Sequence, residues 1–271
     1  MVPEIDTTVP HSARIWNYWL GGKDNYPADQ QAGDAYENVF PDIKPFARAS
    51  REFLIRSVRY LAAEVGIRQF LDVGAGLPTA HNTHEAAQRI APDTRVVYVD
   101  HDPLAVRYYA SMISSSPEGA CAYVEADMRD TDTVIERAAR TIDLGRRRTV
   151  SSARATGQPT GLIISDAMGH IADYGEALAV VRRLVDAMPS GSYLMLSHGS
   201  DNDPVQVTAQ NAYNSSGAVP YILRTPKQIA AFFDGLDLVE PGLVKWPDWH
   251  PDAATTPGPL SAGYGAVARL P

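Results

Sequence analysis

The sequence is poor in cysteine and has no long apolar run. Its 271 residues include one cysteine, Cys121, which excludes an intramolecular disulfide and a metal site built from several cysteines. No metal is expected, because His81 and His84 have no third ligand within reach by spacing. No stretch reaches the ~18 uncharged apolar residues of a membrane span, and the first ten residues lack the apolar core of an export signal. We therefore expect a cytoplasmic protein that does not bind membranes.

Positive charge is also scarce. There are 24 Lys and Arg residues against 32 Asp and Glu residues, which gives a net charge of −8. A chain this acidic is poorly suited to binding the phosphate backbone of DNA or RNA. We expect a small-molecule substrate and no nucleic-acid partner, while a homodimer is an open alternative to a monomer.

Short apolar runs alternate with helical patterns from Gly66 onward, which is typical of a mostly parallel sheet covered by helices. The predicted strands lie at residues 68–74, 95–100, 121–127, 161–166, 192–198, 243–246 and 264–270. The predicted helices in this part lie at residues 83–91, 103–113, 132–141, 174–188 and 225–233. With right-handed crossovers, this pattern predicts an open α/β sheet.

The first 66 residues contain no strand-like run. Residues 43–66 carry apolar side chains on one face of a helix that ends at Gly66. We predict a helical cap over residues 1–66 and an α/β domain over residues 67–271. Residues 145–161 are predicted to form a mobile surface loop that helps to enclose the substrate, and residues 251–258 a hairpin or linker.

A glycine-rich turn follows the first predicted strand. In "FLDVGAGLPT" (70–79), Asp72 precedes Gly74 and Gly76, which allow the backbone to approach a ligand closely. The turn is expected to lead directly into a helix. A G-x-G pair alone is a weak signal, and Thr79 stands where a dinucleotide site usually has Gly or Ala.

Acidic residues follow the next two strands at similar spacing. Asp100 ends the second strand, where a carboxylate can accept both hydroxyls of a ribose, and Asp127 ends the third, where it can meet an adenine amino group. Asp72 would repel a pyrophosphate but suits a cationic amino group. Together these acids favour S-adenosylmethionine, although each of Asp100, Asp102 and Asp127 could instead cap a helix.

The sequence resembles, across nearly its whole length, the actinobacterial family of S-adenosylmethionine-dependent methyltransferases first catalogued as a domain of unknown function. The segments that carry this resemblance are "SARIWNYWLGGKDNYPAD" (12–29), "IRQFLDVGAGLPT" (67–79), "VVYVDHDP" (96–103), "RLVDAMPSGSYLMLSH" (183–198) and "FFDGLDLVEPGLV" (232–244). A departure from the family's pattern lies at the fourth strand. The family would have a more apolar strand and then a Leu-His-Phe-like turn, and Asp166, Gly169 and His170 replace that pattern here.

The resemblance implies a Rossmann-like class I methyltransferase, with a seven-stranded sheet of order 3-2-1-4-5-7-6 and an antiparallel last strand. It also implies that Asp72, Gly74 and Gly76 hold the methionine part, Asp100 the ribose, and Asp127 with Met128 the adenine. The other residues expected at the cofactor are Asn17, Tyr18, Lys23, Ala75, His101 and Ser165.

Candidate catalytic residues are His170, Asp166 and Tyr18. His170 could take a proton from the acceptor near neutral pH, and His198 is a second candidate base. Trp16 and Trp19 could shield the cofactor's cationic sulfur, but we favour core packing for both. The expected activity is methyl transfer to a small molecule, with a role in secondary metabolism. The alternatives are aminocarboxypropyl transfer or cyclisation with the same cofactor, and a non-catalytic binding module.

Overall fold

The computed structural model describes residues 5–78, 81–102, 104–105, 108–109, 114–145, 157–253, 255 and 263–271. The chain begins with three helices, α1 (Ser12–Trp19), α2 (Pro27–Val39) and α3 (Ile43–Tyr60). A π-helical turn, Leu61–Val65, continues α3 to Gly66, which ends it in a left-handed conformation as predicted. Glycine suits this position because it has no side chain to oppose a positive φ.

A buried ion pair joins the first two helices. Asp29, in the first turn of α2, has its carboxylate 3.0 Å from the Arg14 guanidinium of α1. The same carboxylate accepts hydrogen bonds from the backbone N–H groups of His11 and Tyr26. Three donors thus compensate the burial of this charge, which fixes the angle between the two helices.

The rest of the chain alternates strands and helices. The strands are β1 (Gln69–Val73), β2 (Arg95–Asp100), β3 (Ala120–Glu125), β4 (Gly161–Ser165), β5 (Tyr193–Gly199), β6 (Asp237–Leu238), β7 (Val244–Lys245) and β8 (Gly263–Arg269). The helices are α4 (Thr83–Gln88), α5 (Thr131–Ala138), α6 (Tyr174–Ala187), α7 (Pro204–Tyr213) and α8 (Pro226–Ala230), with 3₁₀ turns at Met168–His170, Ala231–Phe233 and Trp246–Asp248.

The strands form one sheet of order β3-β2-β1-β4-β5-β8-β6, in which β8 is antiparallel to β5. This confirms the implied α/β class and strand order. The sheet has eight strands rather than seven, because the sixth is split into β6 and β7, which both pair with β8. The pairing moves from Leu238 opposite Ala268 to Val244 opposite Gly265, so the extra residues bulge out between the two pieces.

Alternating side chains of the buried strands face two separate apolar layers. On β1, Phe70 belongs to the layer that includes α1, α2, α3 and α7, whereas Leu71 and Val73 belong to the layer that includes α5, α6 and α8. Helices therefore cover both faces of the sheet, as expected. Because the first layer joins the three N-terminal helices to the sheet, the division at residue 66 stays a prediction.

Several local predictions were wrong or lie outside the described residues. The helix after the glycine turn does not follow it directly but begins at Thr83, and helix α7 had no predicted counterpart. Its polar face, with Gln206 and Gln210, hides the apolar periodicity of a buried helix. Residues 146–156, most of the predicted loop, lie outside the described residues, as do parts of the 103–113 helix and of the 251–258 stretch.

Candidate active site

A cavity of about 190 Å³ lies where β1, β2, β4 and β5 end and the three N-terminal helices cover the sheet. Parallel strands bring their carboxyl ends to one edge, which is where ligands enter open α/β folds. Most of the predicted site residues line it: Asn17, Asp72, Gly74, Ala75, Gly76, Asp100, His101, Met128, Ser165, Asp166 and His170. The fold therefore brings residues from five separate parts of the chain to one site.

The glycine turn is held against the end of the second strand. The backbone N–H groups of Gly74 and Ala75 donate to the carbonyl of Val99, and that of Gly76 donates to Asp100 Oδ2 at 2.7 Å. Gly74 and Gly76 have φ values of 74° and 65°. Such positive values are unfavourable for residues with a Cβ atom but not for glycine. A Cβ atom at Gly76 would have open space around it, so the turn leaves room for a ligand.

One acid of the cavity wall, Asp72 on β1, is buried. Its Oδ2 accepts a hydrogen bond from the Thr83 hydroxyl at 2.6 Å. Burial raises the pKa of Asp72 to about 6, against the opposing effects of the Thr83 hydrogen bond and the positive charge of Arg51. A cationic ligand group beside this carboxyl would lower its pKa again and restore the charged form.

The carboxylate of Asp100 accepts hydrogen bonds from the backbone of the glycine turn and from the backbone just after β2. Besides Gly76, it accepts from the Asp102 N–H at 3.0 Å, and Asp102 in turn accepts from the N–H of Leu104. The cap function that we weighed for these acids is thus real for Asp102. The carboxylate of Asp100 has about four lone-pair sites and uses two of them here, so it keeps capacity for ligand hydroxyls.

Three predicted residues are not among the described residues that line the cavity. Tyr18 donates its hydroxyl to Asp34 at 2.6 Å, and Lys23 is exposed. The carboxylate of Asp127 is paired with the Arg129 guanidinium at 2.7 Å, which lowers the pKa of Asp127. The structure therefore does not bring these three side chains to the cavity, and their roles stay predictions.

A second acid of the cavity wall, Asp166, is partly buried and follows β4 in a backbone conformation that is rare for a residue other than glycine, with φ at 52°. Its Oδ2 accepts from the hydroxyls of Ser50 on α3 and Ser197 on β5. Its Oδ1 is shielded from water and has no hydrogen-bond partner among the described residues. Burial raises the pKa of Asp166 to about 6, so the carboxyl can exchange a proton near neutral pH.

The two histidines proposed as bases differ in their surroundings. His170 lines the cavity, and its Nδ1 donates to the carbonyl of Pro220 at 2.9 Å, which leaves Nε2 as a proton acceptor. His198 is fully buried, and Arg224 donates to its Nε2 at 2.9 Å. Burial lowers the pKa of His198 to about 3, so it stays neutral. This is a packing and hydrogen-bonding role, because His198 is not among the described residues that line the cavity.

Comparisons with known proteins agree with this geometry. A profile of the family described as S-adenosyl methyltransferase matches residues 1–271. The chain belongs to this family. A crystal structure of a DUF574 family protein from Streptomyces avermitilis is 44% identical with a TM-score of 0.88, covering 99% of this chain and 100% of that one. A structure from Thermobifida fusca with a provisional methyltransferase assignment is 33% identical with a TM-score of 0.86, covering 98% and 96%. Curated proteins yielded no match.

The protein is an S-adenosylmethionine-dependent methyltransferase, and the resemblance found in its sequence is confirmed. Its cavity fits the cofactor in three respects. The glycine turn leaves open space at Gly76, a buried carboxyl at Asp72 suits an ammonium group, and the Nε of Arg51 is buried without a hydrogen-bond partner among the described residues. An ammonium, a carboxylate and a neutral nucleoside therefore find complementary groups in one cavity.

Sequence reasoning missed two polar residues of α3 that serve this methyltransferase's cavity. Ser50 and Arg51 both line it, and Arg51 also donates to the carbonyl of His81 at 2.7 Å. Ser50 lies one helical turn after Phe46 and one before Leu54, on the buried face. Polar residues on an otherwise apolar face were the signal that could have identified them.

None of the helices in the described ranges is long and apolar enough to cross a lipid bilayer. In the same ranges, no group of three or more His, Cys, Asp or Glu side chains is arranged to hold a metal ion.

Proposed function

We propose that this methyltransferase methylates a small molecule that binds in the cavity, with Asp166 as the proton acceptor. The observation that carries this proposal is that Asp166 lines the cavity while its Oδ1 is buried without a hydrogen-bond partner among the described residues. A buried polar atom without a partner is costly and calls for an explanation, of which a catalytic role is one. His170, with its accepting Nε2, is the second candidate base at the same turn.

The cofactor, when bound, supplies a methyl group already activated by a positively charged sulfur. The chain's own residues need only place the acceptor, exclude water and receive a proton. For the cofactor's amino-acid tail we propose Asp72 and the glycine turn at the ammonium, and Arg51 at the carboxylate. Asp100 is proposed for the ribose, and Met128 with His101 for the adenine.

The other roles predicted from the sequence remain proposals. They comprise cofactor contacts for Asn17, Ala75 and Ser165, which line the cavity, and for Tyr18, Lys23 and Asp127, which do not. A cytoplasmic location and the absence of a nucleic-acid partner are supported by the single cysteine and the net charge of −8. Size-exclusion chromatography with light scattering would distinguish the proposed homodimer from a monomer.

Cofactor binding is tested by Asp100→Ala. We expect the affinity for S-adenosylhomocysteine, measured by calorimetry, to fall at least about tenfold, because ligand hydroxyls and the Gly76 N–H both lose their acceptor. Asp93→Ala removes an exposed acid and should leave the affinity unchanged. Unchanged affinity in Asp100→Ala would contradict the proposed ribose contact.

The reaction itself is decided by its product. Formation of S-adenosylhomocysteine in the presence of an acceptor supports methyl transfer. Formation of methylthioadenosine would instead establish aminocarboxypropyl transfer or cyclisation, and binding without turnover would favour a non-catalytic module.

A further inference from the structure

The part of the cavity near α2 and α7 is lined mainly by aromatic side chains. We call it the acceptor pocket, and its walls include Trp19, Tyr36, Tyr213, Tyr221 and Leu223. Tyr36 lies between Trp19 and Tyr213, with ring centroids 5.1 and 6.1 Å away, so the rings hold one another in place. Walls of packed aromatic rings favour a flat, apolar ligand that can stack or pack edge to face.

A second unpaired hydrogen-bond acceptor lies in this pocket. Gln206 on α7 is 2% exposed, and its Oε1 has no hydrogen-bond partner in the described part of the chain. Gln210, one turn later, differs because its Oε1 accepts from the Tyr36 hydroxyl at 3.2 Å. Asp166 and Gln206 thus both line the cavity, and each carries a buried oxygen without a hydrogen-bond partner among the described residues. A ligand with two donors that reaches these oxygens would satisfy both.

The charges in the cavity wall disfavour an anionic acceptor. Asp72, Asp100 and Asp166 all line the cavity, and of the described lysines and arginines only Arg51 does so. Arg51 acts on the pKa of Asp72, so it lies toward the glycine turn. The guanidinium of Arg224 donates hydrogen bonds to the carbonyls of Met168 and Ile171 and to His198. An anion in the acceptor pocket would face carboxylates without a neighbouring cation.

We infer that the acceptor is an uncharged, planar aromatic compound with two hydroxyl groups, one donating to Asp166 and the other to Gln206. This inference rests on the proposed function. A phenolic hydroxyl, unlike an amine with its available lone pair, needs a base as it reacts, and Asp166 is placed in the cavity wall for that purpose.

The step balances without a further reactant. The acceptor oxygen forms a bond to the methyl carbon, the carbon–sulfur bond breaks, and its electron pair stays on sulfur, which becomes neutral. The hydroxyl proton goes to the carboxylate of Asp166. The second hydroxyl keeps its proton and its hydrogen bond to Gln206, so it orients the ring and is not methylated.

Calorimetry with model aromatics tests the inference directly. The probes are 2-naphthol, 2-naphthoate and the isomeric dihydroxynaphthalenes, each titrated into protein saturated with S-adenosylhomocysteine. We expect 2-naphthol to bind at least about tenfold more tightly than 2-naphthoate. The best dihydroxynaphthalene should gain a further factor of about five to ten, the usual value of one hydrogen bond.

Two variants on α7 assign the second hydroxyl. In Gln206→Leu the preference for the best dihydroxynaphthalene over 2-naphthol should disappear, whereas Val205→Ala, at an exposed neighbouring position, should retain it. Should Gln206→Leu fail to fold, Gln206→Met makes the same test. An unchanged preference in the Gln206 variant would overturn the assignment of this residue.

The outcomes separate this inference from the proposed function. If S-adenosylhomocysteine binds but 2-naphthoate binds as tightly as 2-naphthol, the acceptor class is overturned while the proposed function stands. If S-adenosylhomocysteine itself does not bind, the proposed function fails and this inference fails with it.

Discussion

Two carboxyl groups in the cavity wall dominate the chemistry at the residue scale. Asp72 and Asp166 both have a pKa raised to about 6 by burial, but their hydrogen bonds differ. Asp72 accepts from one hydroxyl next to a positive charge. Asp166 accepts from two hydroxyls on Oδ2, and none of the described residues donates to its Oδ1. The first environment suits recognition of a cation, and the second suits transfer of a proton.

Asp72 should reduce stability at neutral pH. Its pKa in the folded chain, about 6, is above the value of 3.8 for an exposed carboxyl, so the folded state binds the proton more tightly. Stability is therefore lost as the pH rises from about 4 to about 6, by about 3 kcal/mol at most. Asp72→Asn should unfold at higher urea concentration than the parent at pH 8 and at a similar one at pH 4.

The control for this variant is Asp93→Asn, at an exposed position that should change little at either pH. An equal effect of Asp72→Asn at both pH values would show that the carboxyl is not held in its neutral form. Asp72→Asn should also bind S-adenosylhomocysteine more weakly than the parent, because the ammonium group of the ligand loses its charged partner.

Asp166→Asn should separate catalysis from binding. We expect turnover to fall by about 10²- to 10⁴-fold, the usual contribution of a general base, while the affinity for S-adenosylhomocysteine changes little. In the parent enzyme turnover should rise with pH through about 6, as the carboxyl loses its proton. A variant that keeps this rise would assign the base to another group, such as His170.

At the scale of elements, the 3₁₀ turn Met168–His170 is held by a segment distant in sequence. Arg224 donates to the carbonyls of Met168 and Ile171 and stacks over the ring of Tyr174. A Cβ atom on Gly169 would lie 2.3 Å from the Tyr221 ring, so the two segments are in close contact. The position of Asp166 and His170 in the cavity thus depends on residues 221–224.

Arg224→Lys tests this support. Lysine keeps the charge but cannot reproduce the planar fork, so at least one carbonyl and His198 lose a donor. We expect the free energy of unfolding, from urea denaturation, to fall by about 2 to 4 kcal/mol. Arg183→Lys, at an exposed site on α6, is the matched control and should change it by less than about 0.5 kcal/mol. Equal stability of both variants would show that the fork is not required.

At the scale of the whole molecule, the N-terminal helices and the sheet share one apolar layer. Ile15 of α1 is completely buried in the same layer as Met195 of β5 and Val267 of β8. In addition, His11 Nδ1 lies 3.2 Å from Asp102 Oδ2, next to the end of β2. A shared core of this kind favours unfolding of the helices and the sheet together.

Ile15→Ala should therefore lower the stability of the entire chain. We expect a single unfolding transition when far- and near-ultraviolet circular dichroism are monitored. The free energy of unfolding should fall by about 2 to 5 kcal/mol by both signals. Ile90→Ala, at a partly exposed site, should shift it much less. A separate early transition in Ile15→Ala would instead support an independent cap that ends at residue 66.

The positions of most strands and the glycine turn with its acids were predictable from local patterns, because buried strands and turns leave their signal within a few residues. The order of the strands came from the family resemblance instead. The split of the sixth strand was not, since pieces of two residues carry no periodicity. Asp127 shows the limit for the site. Its spacing matched a ligand contact, yet Arg129, two residues later, occupies its carboxylate.

The chain's residues by themselves determined the family, the cofactor and the sheet, since these depend on short segments whose chemistry is local. Asp166 was a candidate from the sequence, but only the tertiary structure shows which polar groups surround it on the proposed acceptor side. Ser50, Asp166 and Gln206 come from α3, the turn after β4 and α7, and nothing in their sequence neighbourhoods relates them. A polar atom without a hydrogen-bond partner points to a ligand only where folding has removed water from around it. In water the missing hydrogen bond costs little, whereas in a buried place it is costly.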